Sequence, residues 1–266
     1  MKFGSLPLLP CLALVLAVTA LPIHSLAATA PPAFQVSVEG QVARPGVQSV
    51  PADTRLASVL DQATPLPSAY VLGAAWLRDG ARAGQARLKA GLQFDLQQWE
   101  AGPDTTLAQA SRTLLAQLNT LPVTGRVVPQ SLEGRWLEVR SAENRPVAAG
   151  DRIVLPTRPT EVHVVGAVQQ PCTLMHAAMR VATEYLADCP RLAAADKDIL
   201  YVIQPDGRVF EHGIALWNRH DGQTLAPGAT LYVPLDSRAI RALDPQFNQE
   251  YARFLATQVM GQEASP

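Results

Sequence analysis

Two stretches of this 266-residue chain, 126 positions apart, are built on one skeleton. Val36-Ser37-Val38-Glu39-Gly40-Gln41-Val42-Ala43-Arg44-Pro45 and Val162-His163-Val164-Val165-Gly166-Ala167-Val168-Gln169-Gln170-Pro171 both read V-x-V-x-G-x-V-x-x-P. Alternating valine suits a half-buried strand, glycine permits a bulge or close backbone approach, and proline cannot donate to a continuing ladder. A second echo closes each unit: Val147-Ala148-Ala149-Gly150-Asp151-Arg152-Ile153-Val154-Leu155-Pro156 and Leu225-Ala226-Pro227-Gly228-Ala229-Thr230-Leu231-Tyr232-Val233-Pro234 each place a glycine turn before a strand that proline stops. The chain is therefore expected to be α+β, with a first module over 34–158 and a second over 160–236. Duplicated small modules bind or scaffold more often than they catalyse.

The modules are unequal. In the first, a strand over 34–42 and a turn at Pro45-Gly46 precede a helix over 56–62, which Asp53 or Thr54 is placed to cap. Pro65 and Pro67 end that helix, and 69–77 reads as a strand. The period then changes: Leu88, Leu92, Leu96 and Trp99 form one helical face, and Leu107, Leu114, Leu115 and Leu118 form another. Asp104 is fit to cap the second of these helices, so an antiparallel hairpin is expected at about 82–120. Strand-like spacing returns from Val123 and includes Trp136-Leu137-Glu138-Val139. The second module has no such insertion. It carries a helical pattern over 174–186, and Pro205-Asp206-Gly207 marks a β-hairpin between 200–204 and 208–212. A helix on a small mixed sheet, with the last strand returning beside the first, is the β-grasp pattern. After the second module, a helix over 244–260 lines up Phe247, Tyr251, Phe254, Leu255 and Val259 on one face. That stripe has three possible uses: the protein's own body, a partner's groove, or a membrane surface.

Residues 1–27 have the layout of a secretory signal peptide: Lys2, an apolar run over 6–21, then small residues including Ala27, Ala28 and Ala30. No later stretch approaches the roughly 18 consecutive apolar residues of a membrane span. Without Lys2 the formal charge of −1 becomes −2, which favours neither nucleic acid nor an anionic membrane as a partner. The mature cysteines, Cys172 and Cys189, form an even pair in an oxidising destination. If 173–187 were wholly helical, its ends would stand roughly 25 Å apart, beyond a disulfide's reach. A bridge therefore requires a broken helix or a fold-back near 185–189; two buried thiols or an intermolecular bridge are the alternatives.

Residues fit for chemistry are sparse. No histidine or acid sits at zinc-ligand spacing, no serine stands in a G-x-S-x-G turn, and there is no phosphate loop or dinucleotide glycine pattern. No cofactor is expected. Cys172 with His176 lacks an orienting acid, and Glu133 with Glu138 or Asp206 with Glu211 are pairs that any acid-rich chain supplies. His212 and His220 flank Trp217-Asn218 near Asp221, which reads as a turn on the module's rim. The arginines Arg78, Arg82 and Arg87, which run from a strand into the hairpin, are the better candidates. They either cement the hairpin to the first module or contact a saccharide or partner.

These pieces resemble the capsule biosynthesis GfcC family. The resemblance rests on the two V-x-V-x-G-x-V-x-x-P entries and on Gly73-Ala74-Ala75-Trp76-Leu77-Arg78 feeding a hairpin. It also rests on Ile203-Gln204-Pro205-Asp206-Gly207-Arg208-Val209, Trp217-Asn218, Pro227-Gly228 and the terminal helix. It implies a periplasmic, non-enzymatic accessory protein of capsule or exopolysaccharide export with two soluble-ligand-binding β-grasp domains like those of Wza-type outer-membrane exporters. The implied partners are the polysaccharide, the exporter, or both. Unlike such exporters, the chain shows no lipid-bearing cysteine after its signal, which argues against a pore formed by 247–259. A polysaccharide-modifying enzyme and a purely structural envelope component are the alternatives.

Overall fold

The repeated glycine explains itself in the computed structural model, which describes Met1 and residues 32–128, 130–219 and 224–260. The signal peptide assigned to 1–27, together with His220 and Asp221, lies outside the described residues. Strand β1 (Ala33–Gly40) runs parallel to β4 (Arg152–Leu155), and β5 (Glu161–Gly166) runs parallel to β9 (Thr230–Val233). Gly40 has φ +91°, and a Cβ there would lie 2.1 Å from the Leu155 carbonyl oxygen. Gly166 has φ +98°, and its Cβ would lie 2.3 Å from the Val233 carbonyl oxygen. Any side chain would collide with the parallel neighbour at the point where the strand ends. The next residues then repeat one hydrogen-bond pattern. Gln41 and Ala167 each donate at 2.8 Å to Leu155 and Val233, and Val42 and Val168 donate back to Gly40 and Gly166.

The first sheet has the order β2-β1-β4-β3, with β2 at Gly46–Pro51 and β3 at Ala75–Leu77. The second has the order β6-β5-β9-β7-β8, with β6 at Cys172–Met175, β7 at Ile199–Ile203 and β8 at Val209–Gly213. In both, an antiparallel hairpin opens the sheet, the first strand pairs in parallel with the last, and a third strand lies antiparallel beyond the last. The hairpin partners β2 and β6 escaped the sequence reading, because proline marks the turn before each of them and not the end of pairing.

Helix α1 (Leu56–Ala63) buries Leu56, Val59 and Leu60 in the first sheet's core. Its N-cap is Arg55, which makes no side-chain cap; Thr54 instead donates its hydroxyl to Pro51, so neither expected capping residue acts as one. Residues 136–139, read as strand, instead end a short helix α4 (Gly134–Val139) that packs on α1 through Leu137. Of the strand expected over 69–77, only Ala75–Leu77 is extended, preceded by a 3₁₀ turn at Val71–Gly73. The helical stretch expected over 174–186 is broken: β6 occupies its start and α5 (Ala182–Ala187) its end. The break brings the Cα atoms of Cys172 and Cys189 to 6.1 Å, and the two are disulfide-bonded.

The hairpin appears as α2 (Asp79–Glu100) and α3 (Thr105–Thr120), with the Asp104 carboxylate capping α3 through the amides of Thr106 and Leu107. Although inserted in the first sheet, it packs on the second. Leu92, Leu96, Leu107, Leu114 and Leu118 share one core with Val164, Tyr201, Tyr232 and Leu231. The Gln117 side chain clasps the Gly166 peptide, accepting at 2.9 Å and donating at 3.0 Å. After a short helix α6 (Ser237–Ile240), α7 (Phe247–Ala256) completes this layer. Phe247 meets Trp99 edge-on at 4.8 Å, and Tyr251 stacks on Tyr232 at 4.8 Å. Among the described residues no helix is long and apolar enough to cross a membrane.

Candidate interaction groove

The arginines that attracted notice in the sequence are placed differently from one another. Arg78 is bound inward: its guanidinium grips Asp151 through Nε (3.1 Å) and a terminal nitrogen (2.7 Å), and lies over the Trp76 ring at 4.2 Å. Asp151, 1% exposed, also accepts from Trp76 Nε1 and the Ala148 amide. Arg78 thus fastens the start of α2 to the first sheet. Arg82 and Arg87 stand exposed on α2. The C-terminal stripe is not a free docking face. Phe247, Tyr251 and Phe254 are fully buried, and Leu255 is half-buried beside them. The aromatic part of the stripe is thus packed on the protein's own body, against Trp99 and Tyr232.

The arginine that organises the molecule is Arg126, which the sequence reading passed over inside an apparent strand. Only 5% exposed, it directs one terminal nitrogen to the carbonyls of Ala256 (3.3 Å) and Gln258 (2.7 Å), and the other to those of Ala74 (3.3 Å) and Pro205. One guanidinium therefore joins the first sheet, the β7–β8 turn and the end of α7. Burial lowers its pKa to about 10, with Asp206 opposing, so it stays charged at neutral pH. Gln85 holds the segment in place, donating to the Arg126 carbonyl and accepting from the Gly125 amide, both at 2.8 Å. Thr124 donates to the Thr257 carbonyl at 2.6 Å. A lone buried arginine in a run such as Gly125-Arg126-Val127-Val128 is the available sequence signal, since a buried charge needs a fixed set of acceptors.

Arg126 forms part of the floor of an open groove of 730 Å³. One wall is the α2 face Ala81, Gly84, Gln85 and Leu88, spaced as one helical stripe. The opposite wall is the hairpin tip with Val209 and Phe210, and α7 contributes Arg253 at the end. Arg208, paired with Asp206 at 3.4 Å, and Arg253 are exposed beside a largely apolar lining that itself includes no carboxylate. The nucleophile candidates do not converge here. Cys172 is bridged to Cys189, and the His176 ring bonds the Leu225 carbonyl at 2.9 Å. The supposed polar cluster near Trp217 is a turn in which Asn218 bonds the backbone at Ala215 and Asp198.

Part of the chain is similar to known proteins. Residues 170–260 match the family described as capsule biosynthesis GfcC C-terminal. The chain is also similar to "Uncharacterized protein YjbG" of Escherichia coli (strain K12), 29% identical over 138 residues that cover 51% of this chain and 56% of that one. The match thus spans little more than half the relative's length. The hairpin wall of the groove, α7 and the disulfide fall within 170–260, whereas α2 and Arg126 precede it. Residues 170–260 are thus the part of the chain that is similar to the capsule biosynthesis GfcC family.

Proposed function

We propose that the protein is a non-catalytic periplasmic accessory protein of capsule or exopolysaccharide assembly and export, and that it holds a component of the export machinery in the groove beside Arg126. The observation that carries this reading is the lining: apolar side chains from three elements, the exposed Arg253 and Arg208, and no carboxylate among the lining residues. A surface of that kind suits a segment with apolar side chains and an acidic group, the apolar part giving affinity and the charge giving register. The occupant is an acidic, apolar segment of an outer-membrane exporter. The match of residues 170–260 to the GfcC C-terminal family supports a role in capsule assembly. The matched strand orders, with first and last strands parallel at the centre, support two β-grasp domains of the soluble-ligand-binding kind. The disulfide supports an oxidising, extracytoplasmic location.

The test uses two exposed groove residues, Phe210→Asp and Arg253→Glu, introduced together. Neither side chain supports the core, so thermal unfolding and protein level should match the wild type. Loss of one aromatic anchor and one charge contact should weaken the partner's hold by at least about tenfold, and surface polysaccharide should fall accordingly. Normal surface polysaccharide with this variant would overturn the reading.

A further inference from the structure

The two sheets end in edge strands β2, β3, β6 and β8, and all but one of these are guarded against further pairing. The outer side of β3 is taken up by the chain at Arg126, where the Val127 amide donates to Trp76 at 2.8 Å. Strand β6 follows Pro171 and is tied down at Cys172 by the disulfide, while β8 follows Arg208 and carries Glu211. Proline, charge and covering chain are the usual guards of a sheet edge. Between Gly46 and Val50, β2 has none of them: Gly-Val-Gln-Ser-Val carries no charge, and Val47 is 67% exposed. The ladder fixes which of its groups are free. Gln35 and Ser37 turn their peptide groups toward the β4 side, accepting from Gly150 and donating to Asp151, both at 2.9 Å. Val36 and Val38 therefore bond to β2 through their partners Gln48 and Gly46, which leaves the N–H and C=O groups of Val47 and Ser49 directed outward. Among the described residues no strand pairs with that side.

We propose that β2 is an interface between two copies of this chain, joined antiparallel about a two-fold axis at Gln48 so that their two four-stranded sheets become one. A two-fold interface must be complementary to itself, and this strand is so in its peptide groups, its side chains and its flanking charges. Val47 of one copy faces Ser49 of the other, each supplying a donor and an acceptor. Pro45 faces Pro51, so the residues that lack an N–H meet each other and no donor is left pointing at a ring. The two Val47 side chains lie on one face, a diagonal step apart, and cover each other. Gln48 meets its own copy, with Cβ atoms roughly 4.5–5.5 Å apart. In the single chain its Oε1 is buried without a hydrogen-bond partner, so turning it to the copy's amide gives up no bond. Beyond the strand, the same register sets exposed Arg44 of one copy beside exposed Asp53 of the other, once at each end. Within one chain these charges stand at opposite ends of β2. A second copy running the other way brings them together, which favours self-pairing over the strand of another protein. Since β2 is the edge away from Arg126, the pair leaves both grooves open and presents them together, tightening the hold on any partner with two binding segments.

The experiment is sedimentation equilibrium of the purified protein, in which wild type should dimerise reversibly. Ser49→Pro removes an outward N–H that the β1–β2 ladder does not use. It should leave the circular dichroism unchanged and raise the dimer's dissociation constant at least about tenfold. Arg44→Glu should raise it by about tenfold as well, most strongly at low salt. The register is read by oxidation: Gln48→Cys should give a disulfide-linked dimer beyond the wild-type background, whereas Ser49→Cys, displaced along the strand from its own copy, should not. This cysteine pair carries the test if the proline unfolds the strand. A monomeric wild type, a dimer that a folded Ser49→Pro or Arg44→Glu leaves as tight as before, or cross-linking through Ser49→Cys in place of Gln48→Cys overturns the pairing.

Discussion

The two sheets share a strand order and a glycine, yet they are closed in opposite ways. The first is sealed locally: α1 and α4 cover Val36, Val38, Trp76 and Ile153, and both helices lie between the sheet's own first and last strands. The second depends on borrowed elements. Its core is completed by α2 and α3, which enter from between β3 and β4, and by α7, which follows the last strand. A repeated module therefore need not be a repeated folding unit; what covers the sheet decides how independent it is. Residues from Pro32 onward accordingly form a single compact unit.

This contrast predicts unequal responses to damage. Phe247→Ala opens a cavity between Trp99 and Tyr251 and should cost about 3–5 kcal/mol. Hydrogen exchange should show β7 and β9 losing protection while β1 and β4 keep theirs; equal loss in both sheets would erase the distinction. Removing residues 245–266 would act the same way, reporting on folding before any docking. Arg126→Met should cost about 3 kcal/mol, since four carbonyls lose their donor. Unlike the first change it should loosen both sheets together, as a urea titration followed by exchange would show. Reducing the Cys172–Cys189 bridge, with its sequence separation of 17, removes about 3 kcal/mol in the chain-entropy view. That loss should be confined to the second sheet, read as a lower thermal midpoint in dithiothreitol that the double serine variant reproduces.

The smallest effect lies where α2 meets α7. Burial, then Asp244 and Glu250, raise the pKa of Asp95 above the ordinary carboxylate value. A raised native value means the folded state binds the proton more tightly than the unfolded chain. The contribution is favourable at acid pH and is lost as pH rises through the native value. Asp95→Asn should therefore lift the thermal midpoint slightly at neutral pH and give no gain below the ordinary carboxylate pKa. A lower midpoint at neutral pH would show that Asp95 is engaged by a compensating partner.

Much of this architecture was legible because it is written in local chemistry. The two glycines announced the parallel closures, Asp104 announced its helix, and Pro205-Asp206-Gly207 announced the hairpin that now walls the groove. Failures fell where tertiary contact overrides period. Residues 136–139 read like a strand, yet they wind into α4 because Leu137 has α1 to pack against. The span 173–187 has helical spacing, but β6 is drawn out as the antiparallel partner of β5. The candidate site was only partly legible for a related reason. Arg78 takes the first of its two expected roles, fastening the hairpin to the first module, but nothing in its neighbourhood reveals its partner Asp151, 73 positions away. Arg126 looked ordinary because its acceptors are backbone carbonyls, which every residue has and no sequence pattern marks.

The end of α7 closes the junction between the sheets. Val259 packs on Ala75 and Leu77 of β3, and Met260 lies where side chains at Gly73 or Gly228 would stand, its Cε 1.8 Å from a Cβ at the first and its Sδ 2.5 Å from one at the second. Both sheets are complete in the chain before this segment is made. During synthesis the strands of both sheets are therefore made before the residues that latch them, and the second sheet waits for α7 as well.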